Sequence, residues 1–241
     1  MSWKAEQHDT EWPFEFHATP FDLNPDSTVL LVVDMQAGDM VKDTGDEYGQ
    51  KYPQVVEYWN SRIADSVVPC IQQLLGYFRE HGMRVVYTRN GAVTPHGQEV
   101  TTRLRGRIER GTDNPSIRYR GAPAYEIADE IFPTPDELVV DKLTSSAFLN
   151  TMLDHALRNF GITDVVVTGV LTDMCILGTA RVASELGYNT LVAEDACSTL
   201  TQRAHDEALL MHARVFGRVS TTQDLITELR THRCGRDHND S

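Results

Sequence analysis

The chain has 241 residues, 41% of them hydrophobic and 24% charged, the balance of a soluble globular domain. A formal charge of −13 leaves no basic face for phosphate and argues against a nucleic-acid partner. The start lacks the segments of a secretory signal, and no apolar run approaches the roughly 20 residues of a membrane span. The expected setting is therefore the cytoplasm, with no membrane partner. Cys70, Cys175, Cys197 and Cys234 stand far apart without a CxxC pair, so no disulfide framework is expected.

Residues 1–26 mix Trp3, Trp12, Phe14 and Phe16 with Pro13, Pro20 and Pro25. They read as an extended arm without regular structure, too apolar to float free, that packs on its own domain or on a neighbour. A single domain is expected over 27–230. Its first strand is the apolar run Thr28 to Val33, continuous as in a strand buried on both faces. Residues 37–58 read as a loop. Asn60 to His81 reads as a long helix, with Ile63, Val67, Ile71, Leu74, Leu75 and Phe78 on one face and Gly82 as its stop. Arg84 to Thr88 is the second strand.

Residues 91–123 lack periodicity and carry Arg103, Arg105, Arg107, Arg110, Arg118 and Arg120; a loop this long is often functional. A short helix is expected over 124–131, then a third strand from Glu137 to Asp141. Ala147 to Phe160 reads as a helix with Leu149, Met152, Leu153, Ala156 and Leu157 inward. Strand four covers Asp164 to Thr168 and leads through Gly169 into a helix from Cys175 to Gly187. Strand five (189–193), a helix (204–215), a short strand six (217–220) and a last helix (222–230) follow. The polar tail 231–241 reads as flexible; its His232, Cys234 and His238 fit no standard zinc spacing.

Strands alternating with helices imply a three-layer α/β/α domain with a six-stranded, mostly parallel sheet. Such sheets bind ligands beyond the carboxyl ends of their strands. The residues just past those ends are Asp34, Asn90, Lys142, the Leu171 to Cys175 turn, and Asp195. Each has an ordinary alternative: Asp34 as a cap, Lys142 as a solvated cation, Cys175 as core packing. Together they place a carboxylate, an ammonium and a thiol on one sheet edge. A helix N-terminus at Cys175 would favour its thiolate.

Three ordered motifs carry a resemblance. Val-Val-Asp34-Met-Gln, Val-Val-Asp-Lys142-Leu-Thr-Ser-Ser-Ala-Phe148 and Gly169-Val-Leu-Thr-Asp-Met-Cys175 resemble those of the isochorismatase-like cysteine hydrolases, over roughly residues 27–220. The resemblance implies an Asp34–Lys142–Cys175 catalytic triad and a non-proline cis peptide between Val170 and Leu171. It implies that Cys175 attacks a carbonyl carbon, Asp34 shuttles the proton, Lys142 favours the thiolate, and the N–H groups of Leu171 and Cys175 hold the oxyanion. Asn90 and Phe148 are expected to line the pocket, and one of the loop arginines could meet a substrate carboxylate.

Isochorismatases themselves look similar but have no cysteine at the nucleophile position. Nicotinamidases carry an Asp-x-His metal motif after the first strand, where residues 37–60 here have no histidine. The reading is thus an amidase of the carbamoylsarcosine, biuret or ureidoacrylate type, with no metal and no cofactor, acting on a small amide or ureido compound. The resemblance also implies a homo-oligomer, a dimer or tetramer. Two other functions stay open: an ether hydrolase using Asp34 as acid, and a non-catalytic binding protein on the same fold.

Overall fold

The computed structural model describes residues 3–17, 20–102 and 119–237, with side chains through His232. Its centre is a six-stranded sheet: β1 (Thr28–Val33), β2 (Arg84–Asn90), β3 (Leu138–Lys142), β4 (Asp164–Val170), β5 (Asn189–Ser198) and β6 (Arg218–Ser220). The order is β3-β2-β1-β4-β5-β6, and every pairing is parallel. The chain builds outward from β1 to β3, then returns to the other side of β1 with β4. Between β1 and β4 the order reverses, which opens a crevice beyond their carboxyl ends.

The apolar run of β1 follows from its place at the middle of this sheet. All six of its residues are buried. Side chains alternate between faces, so Leu30 and Val32 join one core layer while Val29, Leu31 and Val33 join the other. The first layer is covered by α1 (Pro53–Arg62), a π-helical turn (Ile63–Val67), α2 (Val68–Glu80) and α6 (Thr222–Asp237). The second is covered by α3 (Leu153–Asn159), α4 (Leu177–Glu185) and α5 (Gln202–Val215). Each fully buried Leu, Ile or Val contributes about 1.5–3 kcal/mol relative to an exposed one.

Several elements differ from the sequence reading. The helix expected at Asn60 starts at Pro53, a residue suited to the first helical position, and 47–51 forms one more helical turn. The arm is not extended throughout: Ala5–His8 and Phe14–His17 are helical turns packed on α5. Asp9 shapes this region by accepting from the N–H groups of Glu11 and Trp12 while pairing with Arg214 at 2.5 Å.

Over 147–160 only Leu153–Asn159 is helical, and Leu149 and Met152 are exposed at 53% and 55% rather than inward. Side chains there bond the backbone instead: Thr144 Oγ1 donates to Ser146 O and Thr151 Oγ1 to Ala147 O. The helix expected over 124–131 is two 3-10 turns, Pro123–Tyr125 and Asp129–Ile131. Its backbone is diverted to the segment after β1, with Ala37 N–H donating to Glu126 O and Ala128 N–H to Met35 O. α6 runs through Asp237 rather than stopping at Arg230. Among the described residues no helix is long and apolar enough to cross a membrane.

Candidate active site

Asp34 is the first residue beyond β1. Its φ of +55° lies in the left-handed region, which Asp tolerates better than most residues. Thr88 of β2 fixes it: the Asp34 N–H donates to Thr88 O at 3.1 Å, and Thr88 Oγ1 donates to Asp34 Oδ1 at 2.6 Å. With Oδ1 so engaged, Oδ2 faces inward and lies 2.7 Å from Lys142 Nζ.

Lys142 ends β3, two strands away from β1. Neighbouring strands are about 4.8 Å apart, so only a long side chain spans the gap. Its Nζ is 3.3 Å from Cys175 Sγ and donates to Thr144 O at 2.9 Å. Burial alone would lower the lysine pKa, but the Asp34 carboxylate, helped by the hydrogen bond to the sulfur, outweighs it, and the net direction is upward. Lys142 is therefore a fixed cation at neutral pH.

Cys175 lies in a π-helical turn, Thr172–Ile176, that precedes α4; the helix expected from Cys175 begins at Leu177. The Val170–Leu171 peptide is cis. Gly169 is required just before it, with φ +110° and a position where a Cβ would sit 2.1 Å from Val33 O. β1 and β4 approach there at their carboxyl ends, Val33 opposite Gly169.

The expectation of a thiolate at Cys175 is corrected. Burial first, and the Asp34 charge second, push its thiol up to about 12 against the opposing pull of Lys142. The sulfur holds its proton at neutral pH, and the adjacent carboxylate is the group placed to remove it.

Asn90 ends β2 opposite Lys142 and points its Nδ2 at Cys175 Sγ, 3.8 Å away, while its Oδ1 is buried without a hydrogen bond. Gln36, which the sequence reading did not weigh, holds Asn90 in place. Its Oε1 accepts from the Asn90 N–H at 2.9 Å, and its Nε2 donates to Tyr125 O at 2.7 Å. Phe148 is buried in the same core layer as Cys175, its ring 5.7 Å from that of Tyr188. Leu171 is partly buried at the foot of the turn.

Other strand-end residues lie elsewhere. β5 runs on past Ala193 to Ser198, so Asp195 falls inside it, and its carboxylate caps α6 by accepting from the Thr222 N–H at 2.9 Å. Cys197 is fully buried in β5, its thiol pushed up by burial. Arg120 is taken up by Asp141, to which Arg89 also pairs at 2.8 Å. Arg103, Arg105, Arg107, Arg110 and Arg118 lie outside the described residues, as do the side chains of Cys234 and His238. Among the described residues no group of three or more His, Cys, Asp or Glu could hold a metal ion.

Sheet and cluster together define a parallel α/β protein with a thiol and a lysine–aspartate ion pair buried side by side at its switch point. The chain belongs to the isochorismatase family, whose Isochorismatase domain matches residues 28–224. It is 28% identical over 214 residues to ureidoacrylate amidohydrolase RutB of Pseudomonas syringae pv. syringae, spanning 86% of each chain. A crystal structure of a cysteine hydrolase from Pseudomonas syringae pv. phaseolicola superposes with a TM-score of 0.72 at 25% identity, covering 89% of this chain and 98% of that one. The crystal structure of N-carbamoylsarcosine amidase from Thermoplasma acidophilum gives 0.60 at 27% identity, covering 81% and 96%.

Proposed function

We propose that this chain is a cysteine hydrolase that cleaves the C–N bond of a small amide, ureido or carbamoyl compound. One observation carries the reading: Lys142 Nζ lies 2.7 Å from Asp34 Oδ2 and 3.3 Å from Cys175 Sγ, joining acid, cation and nucleophile in one buried cluster. The names of the amidohydrolase relatives support the substrate class.

In the proposed cycle Asp34 takes the Cys175 proton as the sulfur attacks the carbonyl carbon, so no free thiolate need accumulate. The C–S bond forms and the carbonyl electrons move to oxygen, held by the N–H groups of Leu171 and Cys175. As the oxyanion collapses, Asp34 returns the proton to the departing nitrogen, the C–N bond breaks, and ammonia or an amine leaves. Water then attacks the thioester, with Asp34 again taking a proton, and the acid is released as the thiol reforms.

Lys142 keeps Asp34 oriented and offsets negative charge on sulfur. Asn90 Oδ1, buried and lacking a partner, is an acceptor for a substrate N–H. Phe148 supplies an apolar wall. The sulfur beside Lys142 favours this reading over ether hydrolysis, which needs an acid but no nucleophilic thiol.

The test is an ammonia-release screen over small primary amides, ureido acids and carbamoyl compounds, run on wild type and Cys175→Ala. Turnover by wild type with at least about a 10³-fold loss in the variant is expected. Wild-type rates in folded Cys175→Ala would overturn the mechanism.

A further inference from the structure

His205 lies wholly inside the protein on α5, and the cycle above makes no use of it. Its Nδ1 is 2.8 Å from Thr172 Oγ1, and its Nε2 is 2.8 Å from Arg62 Nη2. A guanidinium can only donate, so Nε2 accepts. In a neutral ring the proton is then on Nδ1, donated to the Thr172 hydroxyl.

The ring is kept neutral by its surroundings. Burial lowers its pKa first, and the Arg62 charge lowers it further, against the upward pull of Glu194 and Asp206. A second ring proton would also face the Arg62 N–H donor head on.

Arg62 is itself anchored on β5. Its Nε donates to Cys197 O at 3.0 Å and its Nη2 to Glu194 O at 2.9 Å, with the Glu194 carboxylate 3.6 Å from Nη2. A continuous chain of hydrogen bonds thus runs from the backbone of β5 through Arg62 and His205 to Thr172. That threonine is buried and is the first residue of the turn that carries Cys175.

We infer that His205, acting through the Thr172 hydroxyl, is a positioning residue that sets the orientation of the nucleophile turn, and with it the Leu171 and Cys175 N–H groups. This rests on the cysteine-hydrolase reading. The strut meets the turn at Thr172, directly after Leu171 and on the same turn as Cys175, where a small rotation would swing both donors off the carbonyl oxygen. Misplacement on the scale of 1 Å is enough to cost about 10²-fold in rate.

Thr172→Val removes the hydroxyl at nearly constant volume, and Thr172→Ser keeps it. The valine variant is expected to stay folded, lose about 10- to 100-fold in kcat and keep KM within about twofold, while the serine variant recovers most of the rate. Cys175 alkylation by iodoacetamide is a readout that needs no substrate. Its rate is expected to change at least about fivefold in Thr172→Val and to return in Thr172→Ser.

A two-bond spectrum of the wild-type protein labelled with 15N-histidine adds a measurement free of folding defects in the valine variant. The signal missing in His205→Gln should show the Nδ1–H tautomer. A kcat for Thr172→Val within twofold of wild type, equal alkylation rates in all three proteins, or a His205 signal of the Nε2–H tautomer would each overturn the inference. Turnover that survives in Cys175→Ala overturns the hydrolase reading instead, and the alkylation comparison then decides the role of the strut by itself.

Discussion

Replacing Asp34 with asparagine separates the charge that holds the thiol proton from the base that moves it. Oδ2 and Sγ both touch Lys142 Nζ, at 2.7 and 3.3 Å. They therefore lie within about 6 Å of each other, where two unit charges at an effective dielectric of about 20 repel by roughly 3 kcal/mol. That corresponds to about 2 pK units on the thiol, and to more if the two are closer. Asparagine tolerates the positive φ at this position, so the backbone has no reason to move.

In Asp34→Asn the lysine keeps only the sulfur as an anionic partner. The thiol should titrate at least about 2 units below its wild-type value, while ammonia release falls by about 10²–10⁴-fold for want of a base. Thiolate absorbance near 240 nm against pH, less that of Asp34→Asn/Cys175→Ala, isolates this sulfur from Cys70, Cys197 and Cys234. An unchanged or higher thiol pKa, or turnover within tenfold of wild type, would refute the assigned electrostatics.

Two further outcomes concern the scaffold. Gly169→Ala forces a methyl to within 2.1 Å of Val33 O at φ +110°, with only backbone to yield. A loss above about 3 kcal/mol, or roughly 10 °C in Tm, is expected, and a melt within 2 °C of wild type would count against the close approach of β1 and β4. His212, fully buried, has its pKa lowered to about 4, so the unfolded chain takes up a proton below about 6.5 that the native ring refuses. Its contribution to stability is complete above pH 6.5 and is lost as pH falls toward 4, about 2 kcal/mol by pH 5 and roughly 3 in full. Urea melts of wild type and His212→Gln from pH 7 to 4.5 test this; parallel pH profiles would refute it.

The sheet was readable because its two central strands, β1 and β4, are buried along their whole length, and a run such as Thr28 to Val33 has no other stable use. Asp34 and Lys142 stood out because they sit at the very ends of such runs, and Cys175 because it lies on the turn that follows one. Elements whose hydrogen bonds go sideways were not readable. The 144–152 segment carries apolar residues at helical spacing, but its Thr and Ser side chains bond the backbone locally, and Leu149 and Met152 face outward.

The start of α1 could have been found from Pro53 followed by Val56, Trp59 and Ile63. Gln36, Thr88, Thr172 and His205 escaped notice because their partners are remote in sequence: Gln36 meets Asn90 and Tyr125, and Thr172 meets His205. The protonation of Cys175 was misjudged for the same reason. The nearby helix was legible, while the burial and the facing carboxylate that dominate were not.

The pairing of β1 with β4 joins Thr28 to Asp164, the two ends of a span that holds more than half the chain. During synthesis β1 emerges early, yet one of its edges stays bare until β4 has left the ribosome. A nascent or truncated product ending before residue 164 thus presents a sticky apolar ribbon with nowhere to dock, the kind of species chaperones retain and proteases clear. Because the same closure brings residue 34 to residue 175, only a chain that extends past the nucleophile turn can bring the carboxylate to the sulfur.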